Sequence, residues 1–263
     1  MDLHPATRGF EDADRYERAR PDYPDAAVDW LVRELGLKSE GTVLDVGAGT
    51  GKLTRPLLAR GLRVIAVEPV AGMRAALERT TPGADVRAGQ AEALPLEDAD
   101  VDGVVAGQAF HWFATNAVLH ELARVLRAGG RLGLAWNRRD PEQPLQAELA
   151  RLVEPYRAGT PAHATDAWRA VFAPGAPFTP VAEHRVPHAQ CLDANGLVDR
   201  VLSISFIATL PAGEQRTIGA RVRALAQGAP IELRYVAELS VYSRSGSRLS
   251  SSSPSSRSTR GSG

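Results

Sequence analysis

Two periods of apolar residues alternate along the first half of the chain. Short apolar runs, most of them rich in β-branched residues, occupy residues 42–46, 63–67, 84–88, 101–106 and 131–136. Between and before these runs, helical spacing predicts helices that include Asp25–Leu35 and Asn116–Arg127. Strands that alternate with helices form parallel βαβ units, so the pattern predicts an α/β, doubly wound fold with a mainly parallel sheet.

The second half has a weaker pattern. Prolines recur from Pro141 to Pro180 and leave room only for short helices between them. Further helices are predicted at 194–203 and 213–227, and Ile231–Tyr242 is predicted to be a last strand. We therefore expect a core over residues 25–140 and a region over 141–242 that covers a binding pocket and completes the sheet.

The most distinctive local motif follows the first predicted strand. The strand runs into Asp45 and then into glycines at 47, 49 and 51. Glycine permits backbone dihedrals that other residues avoid, and it lets a ligand lie directly against the main chain. The motif therefore predicts a nucleotide-binding turn.

The spacing of the glycines separates the possible ligands. A P-loop is excluded because only three residues separate Gly47 from Gly51, and Leu53 follows Lys52 where a Ser or Thr would be needed. A dinucleotide fingerprint needs two residues between its second and third glycines, but Thr50 alone separates them here. The dinucleotide interpretation is weakened and stays open.

Polar residues follow the later strands at matching positions. Glu68 ends the second strand, where an acid can hold a ribose diol, and Ala91-Glu92 follow the third. The fourth strand leads into Gln108 and the aromatic stretch Phe110–Phe113. Because ligands bind beyond the carboxyl ends of parallel strands, this stretch is placed to meet a second ligand.

An acid two residues before Gly-x-Gly-x-Gly resembles motif I of the class I S-adenosylmethionine-dependent methyltransferases. The segments Phe10–Tyr16 and Arg20–Pro24, taken with Phe110–Phe113, resemble methyltransferase type 11 proteins of the trans-aconitate methyltransferase-like subgroup. The resemblance spans about residues 10–242. It implies a Rossmann-like sheet completed by an antiparallel strand, with S-adenosylmethionine as cofactor and a small molecule as methyl acceptor.

The resemblance also implies residue roles. Tyr16 and Arg20 are candidate contacts for the methionine carboxylate, Glu68 for the ribose, and Met73, Ala91 and Glu92 for the adenine. The full set of implied cofactor contacts is Tyr16, Arg20, Asp45, Gly47, Ala48, Gly49, Gly51, Glu68, Pro69, Met73, Ala91, Glu92 and Gln108. One departure affects the acceptor side, because Ser203–Phe206 lacks the arginine that the subgroup tends to have between its serines.

The acceptor is expected to contact Phe110, His111 and Trp112. His111 is the candidate catalytic residue because imidazole titrates near neutral pH. It would accept a proton from a hydroxyl or an amine, or only orient a carboxylate. The sequence predicts neither the acceptor nor the oligomeric state.

The composition of the chain limits its possible partners, metal sites and location. The 263 residues carry no formal net charge, which argues against nucleic acid and anionic membranes as partners. Cys191 is the single cysteine, so neither a disulfide framework nor a cysteine-based zinc site is expected, and no metal is predicted. Without an apolar run of membrane length, the protein is expected to be cytoplasmic. Residues 1–242 are expected to form one domain, and 243–263 a disordered Ser/Arg-rich tail.

Two alternative functions remain at this point. A nicotinamide-dependent oxidoreductase would use the same glycine turn, although the Gly49-Thr50-Gly51 spacing counts against it. A non-catalytic S-adenosylmethionine-binding module would bind the cofactor without transferring its methyl group.

Overall fold

A single seven-stranded sheet forms the centre of the computed structural model, which describes residues 12–157, 160, 165–226, 228 and 230–245. The strand order is β3-β2-β1-β4-β5-β7-β6. The strands are β1 Thr42–Val46, β2 Arg63–Val67, β3 Asp85–Arg87, β4 Val101–Gly107, β5 Leu126–Arg139, β6 Phe178–Leu192 and β7 Ile231–Arg244. Within β1 to β5 every pairing is parallel, whereas β7 runs antiparallel to both β5 and β6. The predicted fold class, including the antiparallel completing strand, is confirmed.

Helices connect the strands, and the later helices pack together against the start of β7. They are α1 Ala13–Ala19, α2 Asp25–Glu34, α3 Thr54–Leu58, α4 Ala71–Thr80, α5 Asn116–Val125, α6 Pro144–Val153, α7 Ala194–Leu202, α8 Ser205–Ala208 and α9 Ala212–Leu225. Short 3₁₀ turns lie at Phe110–Trp112, Glu154–Tyr156 and Ala167–Phe172. Among the described residues, no helix combines the length and the apolar character needed to span a membrane.

The largest departure from the predicted pattern is β6. The sequence predicts only short helices among the prolines, yet Pro180 and Pro187 lie within this 15-residue strand. Proline cannot donate a ladder hydrogen bond, but β6 is an edge strand whose other side needs no donors. An edge position therefore reconciles the prolines with a strand.

Two strands are longer than predicted. β5 begins at Leu126, directly after α5, whereas the sequence predicts a helix to Arg127 and a strand only over 131–136. β7 continues through Ser243 and Arg244, which pair with Thr179 and Phe178. The predicted tail therefore begins with two strand residues, while 246–263, like Phe10 and Glu11, lie outside the described residues.

Three large hydrophobic clusters form most of the core of the described residues. One cluster joins the sheet to α5 and includes Leu122 and Leu134, and a second joins the opposite face to α2 and α3 through residues such as Leu31 and Leu57. The third packs α6 to α9 against the start of β7 and does not involve the glycine turn. We call this third part, α6 with α7 to α9, the cap. The sheet and the cap thus have separate hydrophobic cores.

Candidate active site

The glycine turn lies at the carboxyl end of β1, beside the end of β2. Gly47, Gly49 and Gly51 all have positive φ, at 68°, 60° and 89°. A Cβ on Gly51 would lie 2.5 Å from Cγ2 of the buried Thr81, whereas a Cβ on Gly49 would meet no atom within 4 Å. Gly51 is therefore required by packing, and Gly49 borders open space in which a ligand can reach the backbone.

Glu68 closes the turn from the end of β2. Its Oε2 accepts from the amide of Gly49 at 2.9 Å, and its Oε1 accepts from the amide of Val70 at 2.9 Å. The residue is 5% exposed, and burial raises the pKa of its carboxyl despite these two bonds. The Glu68 carboxylate, which is predicted to bind the ribose, is thus held in place by a backbone amide at each of its two oxygens.

Asp45 is the buried acid of the motif. Its Oδ2 accepts from the Thr54 hydroxyl at 2.7 Å, whereas its Oδ1 has no hydrogen-bond partner among the described residues. Burial is the main reason that the pKa of Asp45 rises from 3.8 to about 7, and the nearby Glu68 adds to the effect. An orphaned carboxylate oxygen at this position is suited to a cationic ligand group.

Helix α1 lies across the turn and is tied to it by Glu17. The Thr50 hydroxyl donates to Glu17 Oε2 at 2.5 Å, and the Arg55 guanidinium donates to Glu17 Oε1 at 2.7 Å. Neither Glu17 nor Thr50 is predicted from the sequence as a site residue. Together these bonds hold the N-terminal helix over the carboxyl edge of the sheet.

The predicted adenosine contacts are spread along this edge. Met73 is 2% exposed and packs in a small cluster with Ala13 of α1, so the helix covers it. Pro69 precedes α4, and its carbonyl accepts from Arg74 at 3.3 Å. Ala91 is buried and Glu92 is exposed, both in the turn that follows β3.

Two adjoining cavities open beyond the strand ends. The smaller, of about 40 Å³, borders the turn at Asp45, Gly47, Ala48 and Gly49. The larger, of about 720 Å³, lies between the sheet and the cap. Both are lined by Tyr16, Arg20, Gln108 and Arg200. These four residues form a common wall, so a ligand on the turn would face a ligand in the larger cavity.

Gln108 occupies the junction in a constrained conformation. It follows β4 with a φ of 56°, which is uncommon for a residue other than glycine. Its amide donates to the carbonyl of Ala135 at 2.8 Å, and its side-chain amide donates to the carbonyl of Asn137 at 3.1 Å. Left-handed non-glycine residues persist where surrounding contacts determine them, and they cluster at functional sites.

The aromatic stretch divides between cavity and core. His111 and Trp112 line the larger cavity. Phe110 does not: it is 0% exposed, stacks on Phe172 and makes an edge contact with Trp168. The predicted acceptor contact at Phe110 therefore needs correction, because the 3₁₀ turn directs this side chain into the core beneath the sheet.

Arginines form much of the lining of the larger cavity. Arg20 donates to the carbonyl of Ser203 at 2.7 Å and lies 4.9 Å above the Tyr16 ring. The buried Arg200 donates from Nε to the Tyr235 hydroxyl at 3.0 Å, while its Nη1 has no partner among the described residues. Arg139, at the end of β5, also lines the cavity.

These arginines affect one another. Burial, and then the charge of Arg200, lowers the pKa of Arg20 to about 10. Burial, and then Arg200, lowers the pKa of Arg139 to about 9. Arg20 and Arg139 therefore remain charged at neutral pH. The sequence does not identify Arg139 or Arg200 as site residues, because an isolated arginine on a strand or helix resembles an ordinary surface residue.

Comparisons with known proteins agree on one family. A family model described as a methyltransferase domain matches residues 44–134. An uncharacterised methyltransferase of Mycobacterium tuberculosis is 42% identical over 210 residues, covering 80% of this chain and 82% of that protein. An uncharacterised methyltransferase-like protein of Schizosaccharomyces pombe is 37% identical over 216 residues, covering 82% of this chain and 84% of that protein. The solved structure of a candidate type II methyltransferase from Anaeromyxobacter dehalogenans matches with a TM-score of 0.64 at 25% identity, covering 86% and 97% of the two chains.

Proposed function

The chain belongs to the class I S-adenosylmethionine-dependent methyltransferases, and we propose that it transfers a methyl group from this cofactor to an oxygen atom, of a carboxylate or a hydroxyl, on a small organic molecule. The observation that carries the proposal is the common wall between the two cavities. Reaction requires the cofactor's methyl group and the acceptor to meet, and the common wall is where a ligand on the glycine turn faces the larger cavity.

The chemistry of the glycine turn suits the amino-acid end of the cofactor. Arg20, with Tyr16 beneath it, is a cation for the carboxylate, and the orphaned Oδ1 of Asp45 is an acceptor for the ammonium. The open space beside Gly49 lets this end approach the main chain. Charge-assisted bonds of this kind contribute about 1.5–3 kcal/mol each.

The adenosine end requires a change in the N-terminal helix. Glu68 is placed for the ribose, with Met73, Ala91 and Glu92 for the base. However, the cavity of about 40 Å³ is far smaller than the cofactor, and α1 packs over Met73. Binding of the whole cofactor therefore implies that α1 shifts away from α4, which breaks the small hydrophobic contact at Met73 and the exposed ion pair between Asp14 and Arg79.

When bound, S-adenosylmethionine supplies a methyl group on a cationic sulfur; in the in-line displacement the acceptor's electron pair forms the new bond to the methyl carbon, and the electrons of the broken carbon–sulfur bond stay on sulfur. The protein's contribution is position. Orienting two reactants can lower a barrier by about 7–11 kcal/mol. Tyr16, Gln108 and the cap form the walls that would hold the acceptor in line and exclude water.

We assign His111 a role at the acceptor. If the acceptor is a hydroxyl, the imidazole of His111 accepts its proton, a contribution of about 10²–10⁴-fold in rate. If the acceptor is a carboxylate, it carries no proton to lose and His111 only orients it. The pH profile of kcat in His111→Gln separates these roles: loss of an acidic limb with a large fall in kcat indicates a base, and an unchanged limb indicates orientation.

Two measurements test the proposal. Isothermal titration with S-adenosylhomocysteine is expected to give saturable one-site binding, whereas NAD and NADP are expected to give none. Incubation with methyl-labelled cofactor and a panel of organic acids and alcohols, followed by mass spectrometry, is expected to yield a labelled ester or ether. Absence of S-adenosylhomocysteine binding by correctly folded protein would overturn the proposal, and nicotinamide binding would favour an oxidoreductase.

A further inference from the structure

The larger cavity contains more positive charge than its own acids neutralise. Six arginines line it: Arg20, Arg138, Arg139, Arg157, Arg185 and Arg200. Three acids also line it: Asp140, Glu142 and Glu238. Glu238 pairs with both Arg138 and Arg185 at 2.9 Å, Asp140 pairs with Arg234 outside the cavity lining at 3.7 Å, and Arg157 pairs with the exposed Glu154 at 3.0 Å. Arg20, Arg139 and Arg200 have no acidic partner among the described residues.

The cofactor accounts for only part of this excess. Arg20 and Arg200 also line the small cavity at the glycine turn, so they lie within the field of the proposed methionine carboxylate. Arg139 lines the larger cavity but not the small one, and its side chain has neither a hydrogen-bond partner nor an ion-pair partner among the described residues. A half-buried guanidinium among other cations is costly unless an anion joins it. The cofactor therefore leaves Arg139 without a counter-charge.

Part of the lining of the same cavity is apolar. Val153 of α6, Ile204 and Phe206 line it, each less than 9% exposed and packed in the core of the cap. The guanidinium of Arg157 lies 5.3 Å above the Phe206 ring, where the charged wall meets the apolar one. Ala150, one turn before the end of α6, extends this surface to the solvent.

We propose that the acceptor is an amphipathic carboxylic acid, with its carboxylate bound by Arg139 and a linear or cyclic apolar body lying against Val153, Ile204 and Phe206. That the bound acid is the methyl acceptor rests on the proposed function. That the cavity binds such an acid does not. A volume of about 720 Å³ falls in the range of cavities that enclose drug-sized ligands, which is more than a short hydrophilic acid fills.

The test is equilibrium binding of probes that vary one property at a time. Butanoate, hexanoate and octanoate lengthen the apolar body at constant charge, octanamide removes the charge, and citrate carries three carboxylates without an apolar body. Each is titrated into protein saturated with S-adenosylhomocysteine, and again into protein without it. Because each buried methylene contributes up to roughly four-fold in affinity, octanoate should bind at least about 10-fold more tightly than butanoate.

The negative charge of the carboxylate should contribute as much to the affinity as the apolar chain does. Octanoate is expected to bind at least about 10-fold more tightly than octanamide, because only the carboxylate makes a charge-assisted bond. Arg139→Met should weaken octanoate binding about 10–100-fold and leave octanamide unchanged. The matched control is Arg221→Met on the exposed face of α9, which should change neither. If Arg139→Met does not fold, Ala150→Asp places a negative charge at the cavity mouth and should weaken octanoate more than octanamide.

The outcomes separate the two proposals. Tighter binding of citrate than of octanoate, no dependence on chain length, no octanoate binding, or an unchanged octanoate affinity in Arg139→Met overturns the amphipathic acid. Binding of S-adenosylhomocysteine together with any of these results leaves the methyltransferase proposal intact. Octanoate binding with the expected pattern in a protein that does not bind S-adenosylhomocysteine supports the acid site and overturns the proposed function.

Discussion

The glycine turn and the cap differ in how they build a binding surface. At the turn, the ligand-facing groups come from strand ends within 24 residues, Asp45 to Glu68, and backbone amides fix the carboxylate of Glu68. In the larger cavity, side chains from the N-terminal segment, β5, α7 and the α7–α8 connection converge, and Arg139 has no partner among the described residues. The first site is a property of local backbone, and the second is a property of tertiary packing.

This difference indicates where specificity resides. The turn has few alternatives, because its glycines adopt conformations or fit spaces that other residues cannot. The cap has its own hydrophobic core, so its cavity-facing residues can change without disturbing the sheet. We therefore expect substitutions at the turn to affect stability and cofactor binding together. Substitutions of cap residues that line only the larger cavity should affect mainly the acceptor.

The largest effect should come from Gly51→Ala. The new Cβ would lie 2.5 Å from buried Thr81 Cγ2 at a φ of 89°, so packing and backbone strain act together. We expect a loss of about 3 kcal/mol or more in the free energy of unfolding, measured by urea denaturation. Gly49→Ala is the matched control, with similar strain and no clash. It should cost only about 1–2 kcal/mol while still weakening S-adenosylhomocysteine binding, and equal destabilisation by the two changes would contradict the packing argument.

The second effect concerns the amino-acid end of the cofactor. Arg20→Met should weaken S-adenosylhomocysteine binding by up to about 100-fold, because one charge-assisted bond is lost. Binding of 5′-methylthioadenosine, which lacks the carboxylate, should change little in the same titration. Parallel losses for both ligands would show that Arg20 supports the fold and does not contact the carboxylate.

A third effect is the pH dependence contributed by Asp45. Its pKa is raised to about 7 in the folded protein, so between the unfolded value of 3.8 and 7 the folded state binds more protons than the unfolded state. The stabilisation from this group is therefore complete at low pH and is lost as pH rises through about 7. Relative to Asp45→Asn, the wild type should lose about 2–3 kcal/mol in the free energy of unfolding between pH 5 and pH 8, at about 1.36 kcal/mol per pKa unit. The exposed Asp98→Asn should retain the wild-type profile; a parallel profile for Asp45→Asn would be inconsistent with the raised pKa.

The smallest effect should be kinetic. Glu17→Gln removes the charge that joins α1 to Thr50 and Arg55. If α1 must shift for the cofactor to enter, association and dissociation of S-adenosylhomocysteine should both accelerate a few-fold in stopped-flow fluorescence, with little change in Kd. Glu214→Gln, exposed on α9, is the control. Unchanged rates in Glu17→Gln would show that movement of α1 does not limit entry of the cofactor.

The sequence predicts elements with a clear local pattern better than elements that depend on tertiary packing. β1, β2 and the start of α2 match their predicted bounds, because short parallel strands and amphipathic helices have clear periods. β6 is missed because its prolines are compatible with a strand only at a sheet edge, a position that local pattern does not reveal.

The residues of the candidate site also fall into those that the sequence identifies and those that it does not. The glycine motif, Glu68 and the cavity-lining His111 are recognisable because chemistry and spacing coincide in short segments. Arg139 and Arg200 are not, because they become neighbours only when β5 and α7 pack together. Phe110 is misassigned for a related reason: the motif places it at the correct sheet edge, but the direction of its side chain depends on the 3₁₀ turn.

In the proposed complex, the turn after β1 binds S-adenosylmethionine with its methyl group toward the larger cavity. A cocrystal structure with S-adenosylhomocysteine tests it most directly. We predict that the sulfur lies beside Gln108 at the junction of the two cavities, with the carboxylate at Arg20 and the ribose at Glu68. A ligand bound elsewhere, or with its sulfur directed away from the larger cavity, would contradict the account.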